Sequence, residues 1–308
     1  MSENPPQSPS AQYDGDSLSG FLFALTAYLL WGFLPLYMKA LAHISPVEVI
    51  AHRVLWSVPI ALAVLWWLGR TQDLKAAFRS PRMLGMGLMT AALISVNWGI
   101  YVWAIGSGHA LDAALGYYIN PLFSIFLGTV LLRERMGRTQ LGAVLLAVVA
   151  VAILTWEAGR LPVVALALTL TWGCYAFLKK RLPIGPNQGF ALEVLILLVP
   201  AVGYMLWLGA KGDGHFLTGT PSDDLLLIGC GIVTAGPLMI YANGAKRLTL
   251  STIAIMQYIA PTMIFLTAVF IFDEPFSQVK LLAFSLIWAA LVIYSLPLLA
   301  GRVRARAD

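Results

Sequence analysis

Ten apolar runs separated by short polar connections set the pattern of the chain: residues 19–38, 47–69, 83–105, 110–132, 139–156, 162–178, 188–209, 224–243, 251–272 and 279–300. A helix rising roughly 1.5 Å per residue needs about 20 such residues to cross a hydrocarbon layer. The pattern therefore predicts ten transmembrane helices, and no connection between them is long enough to hold a soluble domain.

The runs also repeat. Tyr118, Pro121, Glu134 and Leu141 meet Tyr258, Pro261, Glu274 and Leu281 at a constant offset of 140 residues. Tyr101 meets Tyr241, Ala114 meets Ala254, and Trp31 and Gly32 meet Trp172 and Gly173 with one residue of slippage. A unit of five crossings is odd, so its second copy must enter the membrane upside down. Inverted repeats of this kind are typical of secondary transporters, whose substrate sites lie near the midplane between the halves. The expected fold is thus all-α: two inverted five-helix repeats around a central cavity. Residues 19–157 form the first repeat and 158–300 the second, between a disordered tail at 1–18 and a basic tail at 301–308.

Pro121 and Pro261 fall near the middle of their runs. A proline lacks an N–H and its ring pushes away the carbonyl four residues earlier, here that of Tyr117 and of Gln257. Irregular backbone at mid-membrane depth is tolerated where protein or a wet cavity supplies partners. Two interrupted helices facing each other are therefore expected, against the plainer reading of kinks that only shape packing.

Composition agrees with the pattern: 59% of the residues are hydrophobic and 11% charged, against about 25% charged in soluble domains. The net charge of +5 is a topology signal and not a nucleic-acid footprint. Assigning loops alternately to two sides places 15 basic residues on one side and four on the other, with Arg53 inside a span. The rich side is cytoplasmic by the positive-inside rule, which puts both termini there. No signal-peptide pattern opens the chain. Cys174 and Cys230 lie inside apolar runs and read as packing residues, and four scattered histidines give no metal spacing.

Ionisable groups inside a span are costly and point to function. Arg53 lies in the second run, and Glu193, its partner at the 140 offset, lies in the seventh. The inversion separates them by roughly 12 Å of a core about 30 Å thick, so a direct pair is not expected. Arg53 is expected to meet Asp112, and Glu193 to meet Lys179, Lys180 or Arg247. Charge pairs at alternate ends would serve two gates, and Glu193 and Asp112 are also the carboxyls available for proton coupling. Snorkelling competes as a reading of Arg53, as does the helix macrodipole for Asp112. Ser45, Pro46 and Glu48 spell a capping box. Asp223 and Asp224 read as a solvated helix start, and Glu134 and Glu274 as hairpin residues.

The candidates for contact with a solute are polar or aromatic residues at depth. They are Asn97, Trp98 and Tyr101 in the third run, Tyr117, Tyr118, Asn120 and Pro121 in the fourth, and Trp172 and Tyr175 in the sixth. Tyr241 in the eighth run and Gln257, Tyr258 and Pro261 in the ninth complete the set. Aromatic walls with a few uncharged polar groups suit a small neutral or zwitterionic solute and not a polyphosphate. Trp66, Trp67, Trp156 and Trp207 sit at run ends and read as interface belts. Ala143 and Ala147 give the fifth run small-xxx-small spacing, a surface for a homodimer.

Several stretches resemble the EamA branch of the drug/metabolite transporter superfamily: His52-Arg-Val-Leu-Trp-Ser57, Asn97-Trp98, Leu115-Gly-Tyr-Tyr-Ile-Asn-Pro-Leu122, Gly231-Ile-Val-Thr234, Pro237-Leu238 and Gln257-Tyr-Ile-Ala-Pro-Thr262. The resemblance covers essentially residues 20–300. It implies ten helices in two inverted halves, a bacterial inner-membrane location and transport of a small molecule, with drug export suggested. Ala260 departs from it, standing where the family pattern leads one to expect glycine.

A secondary transporter, exporter or permease, working by alternating access fits these features. A membrane-embedded enzyme would need paired acids, a histidine cluster or a nucleophile beside its base. A channel would need polar faces or carbonyl rings. The chain offers no such catalytic set and, as a single asymmetric chain with two central prolines, fits a channel poorly, so enzyme and small-solute channel stand as the alternatives; no cofactor is indicated, and the absence of a G-x-x-x-x-G-K-[ST] stretch excludes a nucleotide-driven pump. The expected partners are a small-molecule substrate and the lipid bilayer, with no nucleic acid.

Overall fold

The computed structural model describes residues 17–132, 137–245, 247–248 and 250–305. The expected tail up to residue 16, the residues Arg133, Glu134, Arg135 and Lys246, and residues 306–308 lie outside the described residues. The described chain is helical: α1 Leu18–Ala40, α2 Pro46–Trp67, α3 Thr71–Arg79, α4 Pro81–Gly106, α5 Ala110–Leu132, α6 Arg138–Ala158, α7 Val163–Arg181, α8 Pro186–Lys211, α9 Pro221–Ala245, α10 Leu250–Met256, α11 Ile259–Phe270 and α12 Gln278–Ala305. Every apolar run falls on helix. By length and composition, α1, α2, α4, α6, α8 and α9 can each cross a membrane.

Local chemistry accounts for many helix ends. Pro46, Pro81 and Pro186 open α2, α4 and α8, where a missing N–H costs nothing. The Ser17 hydroxyl accepts from the Gly20 N–H at 3.0 Å, and Ser80 does the same for Met83 at 3.4 Å. Gly159 and Gly212 close α6 and α8 at φ of 62° and 74°, a left-handed turn open to glycine at little cost.

Two features depart from the sequence pattern. The basic connection after α2 is not a plain loop: it forms α3, an amphipathic helix that buries Leu74 and Ala77. The proline helices also differ from each other. The ninth run breaks at Gln257 and Tyr258 into α10 and α11, as expected, whereas α5 runs unbroken through Pro121. In the turn before Pro121 the Thr169 hydroxyl of α7 lies 3.0 Å from the Gly116 carbonyl while also donating to its own Ala165 carbonyl at 2.8 Å, so α7 packs closely on α5 beside the proline. A proline frees a carbonyl without forcing a break, and the partners nearby decide the outcome.

Helix contacts recur in pairs. If α1, α2, α4, α5 and α6 are exchanged for α7, α8, α9, α10–α11 and α12, the main neighbours return. The contact of α1 with α9 becomes that of α7 with α4, α1 with α11 becomes α7 with α5, and α2 with α9 becomes α8 with α4. The pairs α2 with α8, α5 with α11, and α6 with α12 map onto themselves. Side chains repeat the relation: Gly32 of α1 admits Met263 of α11, and Gly173 of α7 admits Phe123 of α5. A methyl group at either glycine would overlap its partner.

Helix ends meet in two groups. At one end, called here the Glu48 end, His43 lies 3.0 Å from Asp223, and Ser277 bonds Glu157. At the opposite, Lys179 end, the Ser17 N–H donates to the Arg247 carbonyl at 3.2 Å and Gln188 donates to Asp73 at 3.0 Å. Thus α1 runs toward the Glu48 end and its counterpart α7 runs away from it. Ala143, Ala147 and Ala150 of α6 are buried in the same core cluster as Ala283, Phe284 and Ile287 of α12. The small-residue stripe expected to serve a dimer is therefore occupied within the chain.

Candidate functional site

Arg53 is the charge that needs most explanation, being only 3% exposed on α2. Its Nε donates to the Thr234 hydroxyl of α9 at 2.9 Å, and its guanidinium lies 4.6 Å from the ring centroid of Trp98 on α4. A desolvated cation over an indole gains about 2 kcal/mol. Gly231, one turn before Thr234, makes the approach possible, because a Cβ there would strike the backbone of Trp56. The expected Arg53–Asp112 pair does not form. Asp112 begins α5 at the Glu48 end, where its charged neighbours are His109, Lys280, Glu274 and Arg160. Arg53 lies deeper on α2, which packs on α4, α8 and α9, so a hydroxyl and a ring face take the place of the carboxylate.

A chain of rings runs from beside Arg53 toward the other end. Tyr101 and Tyr117 have centroids 5.9 Å apart, Tyr117 and Trp172 6.3 Å, and Trp172 and Tyr175 5.6 Å. Asn97 ties the chain together from behind. Fully buried, it donates through Nδ2 to the Leu168 carbonyl at 3.2 Å and the Thr171 hydroxyl at 2.9 Å, and its Oδ1 accepts from the Tyr117 hydroxyl at 3.3 Å. One amide thus links α4, α5 and α7. At the far end the Tyr175 hydroxyl donates to Glu193 at 3.2 Å, and Lys179 pairs with the same carboxylate at 2.6 Å. Lys179 was among the partners expected for Glu193. Arg247 instead donates to Ser19 at 3.1 Å.

The other candidates lie apart from this column. Tyr118 joins its hydroxyl to Thr262 at 2.7 Å and packs edge-on against Phe284 and Trp288, tying α5 to α11 and α12 beside the buried Pro121 and Pro261. Tyr241 forms a second aromatic knot with Tyr28 and Trp31, at centroid distances of 5.6 and 5.5 Å. Trp31 and Tyr241 are the repeat counterparts of Trp172 and Tyr101, so both halves carry rings at related positions. Asn120 is buried on α5, while Gln257 and Tyr258 are half-buried at the break between α10 and α11.

The EamA-like transporter family model matches residues 18–156. An uncharacterized transporter of Vibrio cholerae is 41% identical to this chain, over 95% of this chain and 97% of its own length. Protein RarD of Streptomyces exfoliatus is 40% identical, over 96% of this chain and 93% of its own. The chain belongs to the EamA-like transporter family. A crystal structure 19% identical to it shares the fold at a TM-score of 0.60, over 90% of this chain and 98% of that one. This EamA-like chain is accordingly a multi-pass transporter of the inner membrane and not an enzyme.

The Glu48 end of the transporter holds residues the sequence pattern misread. Ser45 makes no side-chain capping bond. Glu48, fully buried, instead accepts from the backbone N–H of His215 at 2.7 Å and from its Nδ1 at 2.9 Å, pinning the connection between α8 and α9 over the start of α2. The His43 and His215 rings lie 6.2 Å apart, and the His52 ring packs on Phe216 at 4.9 Å. Three of the four histidines therefore converge, although they form no metal-binding cluster with the acids among the described residues. Asp223, expected in solvent, is largely buried and holds both His43 and the Thr220 hydroxyl. Glu274 is more than a hairpin residue. It accepts from the Ala110 and Leu111 N–H groups at 2.6 and 2.9 Å, capping α5. Apart from the bond between Asp223 and Thr220, these ties span more than a hundred residues of sequence, so local spacing carries no trace of them.

Proposed function

We propose that this protein is a secondary transporter that exports a small neutral or zwitterionic metabolite or drug by alternating access. In this reading ten crossings form two inverted halves, with both termini on the cytoplasmic side by the distribution of basic residues. The observation that carries the proposal is the unequal state of two repeat-related helices: α5 is continuous and α10–α11 is broken. Halves with one pattern of neighbours and two conformations are what a carrier presents when it faces one side, and exchange of the two conformations would turn it to the other. The aromatic column lined by Tyr101, Tyr117, Trp172 and Tyr175 is the surface along which the solute would lie.

The experiment is flux into proteoliposomes of the solute that most raises the unfolding temperature in a metabolite and drug panel. Uptake should saturate with concentration and fall at least tenfold in Trp172→Ala. Flux that rises linearly without saturation would indicate a channel and contradict the proposal. The same assay with and without a pH gradient reads proton coupling, and unchanged flux would exclude it.

A further inference from the structure

Arg53 keeps one edge of its guanidinium unused. Nε is taken by Thr234 and one face by Trp98, but the buried Nη1 has no partner among the described residues. The ion pairs among those residues are His43 with Asp223, Lys179 with Glu193, and His215 with Glu48, so no carboxylate answers the charge of Arg53. The Tyr101 hydroxyl, close enough to Arg53 to interact with it electrostatically, is likewise buried without a partner. Glu193, the other buried charge beside the column, is already matched by Lys179 and Tyr175. The column therefore carries one uncompensated positive charge, with two unsatisfied polar groups beside its first ring.

We infer that Arg53 and Tyr101 bind a carboxylate on the transported solute, whose apolar body lies along Tyr117 and Trp172. The planar fork of arginine matches a carboxylate, and a buried charge-assisted hydrogen bond is stronger and more selective than one in water. The unpartnered Nη1 of Arg53 and the unpartnered Tyr101 hydroxyl are the two donors on offer to a carboxylate. They are too few for a phosphate dianion, which takes more donors. Retaining a buried cation without a counter-charge is costly, and a functional role is the usual reason for it inside a membrane. This inference rests on the transporter reading and narrows its solute from any small neutral or zwitterionic molecule to a zwitterion whose carboxylate meets Arg53.

The test uses the purified full chain and two probes of nearly equal size, 3-phenylpropanoate and 3-phenylpropanamide, with unfolding temperature as the readout. The carboxylate should protect wild type at a concentration at least tenfold below that needed by the amide. Arg53→Gln should lose this preference, each probe being measured against that variant's own unfolding temperature because the change also gives up the contacts with Thr234 and Trp98. Tyr101→Phe should weaken carboxylate protection several-fold. Equal protection by the two probes, protection by neither, or a preference that survives in Arg53→Gln would overturn the inference. Where Arg53→Gln fails to fold, Tyr101→Phe carries the test, and carboxylate protection equal to that of wild type in that variant would overturn the inference. Proteoliposome flux separates the two proposals. A chain that prefers the carboxylate yet moves no solute leaves the site standing without the carrier. Saturable flux that ignores Arg53→Gln does the reverse.

Discussion

Lys179→Met is expected to cost about 3–5 kcal/mol of stability, the usual penalty for stripping one partner from a buried ion pair. Glu193 is 1% exposed, and without Lys179 it would keep only the Tyr175 hydroxyl as a partner. The reverse change, Glu193→Gln, should cost less. Lys179 has a side chain 19% exposed near the end of α7, and its stem is long enough to carry the ammonium toward water. The double variant Lys179→Met with Glu193→Gln should recover most of the loss, because two uncharged groups of similar volume need no mutual compensation. Unfolding in detergent across this double-mutant cycle measures the coupling directly. Single-variant losses that simply add in the double variant would show that the pair contributes nothing as a pair.

Asn97→Leu should lower stability by about 1–3 kcal/mol and reduce flux by an order of magnitude or more, the stability loss coming from one stranded hydroxyl. The partners on α7 are not left bare, since Thr171 also donates to the Ala167 carbonyl at 2.7 Å. Tyr117 is left bare, because Asn97 Oδ1 is the acceptor its hydroxyl uses. Its ring then loses the anchor that sets it between Tyr101 and Trp172, so transport should suffer out of proportion to folding. Asn97→Gln, which keeps the amide on a longer arm, should restore part of the stability and little of the flux. Loss of stability and flux in the same proportion in both variants would show that Asn97 supports the bundle alone.

The sequence made the helices legible because a span must be apolar along its whole length, and nothing else in a chain of this kind produces 20-residue runs. Gly32 and Gly173, which the 141-residue offset pairs, each sit where a helix crosses its neighbour closely. Lys179 could be proposed for Glu193 because one turn-length loop joins their helices. Arg53 resisted the same logic. A search for an opposite charge finds Asp112, but the fold answers with Thr234 and Trp98, groups that no charge pattern marks. Glu48 misled for the opposite reason, since a local motif offered it a role that a histidine 167 residues away takes over. The break at Gln257 followed from its proline, but the continuity of α5 at Tyr117 was beyond reach, because identical prolines leave the outcome to their surroundings.

Reciprocal movement of the two ends is the core of this account, and it can be measured without knowing the solute. In a background lacking Cys174 and Cys230, cysteines replacing His43 and Asp223, whose side chains touch, would be bridged by a short bis-maleimide to lock the Glu48 end. Spin labels at the exposed positions Lys75 and Arg181 would then report the distance across the Lys179 end in liposomes. The account predicts a longer and broader distance distribution in the locked protein than in the unbridged one. An unchanged or narrower distribution would mean that the two ends do not alternate, and would contradict it.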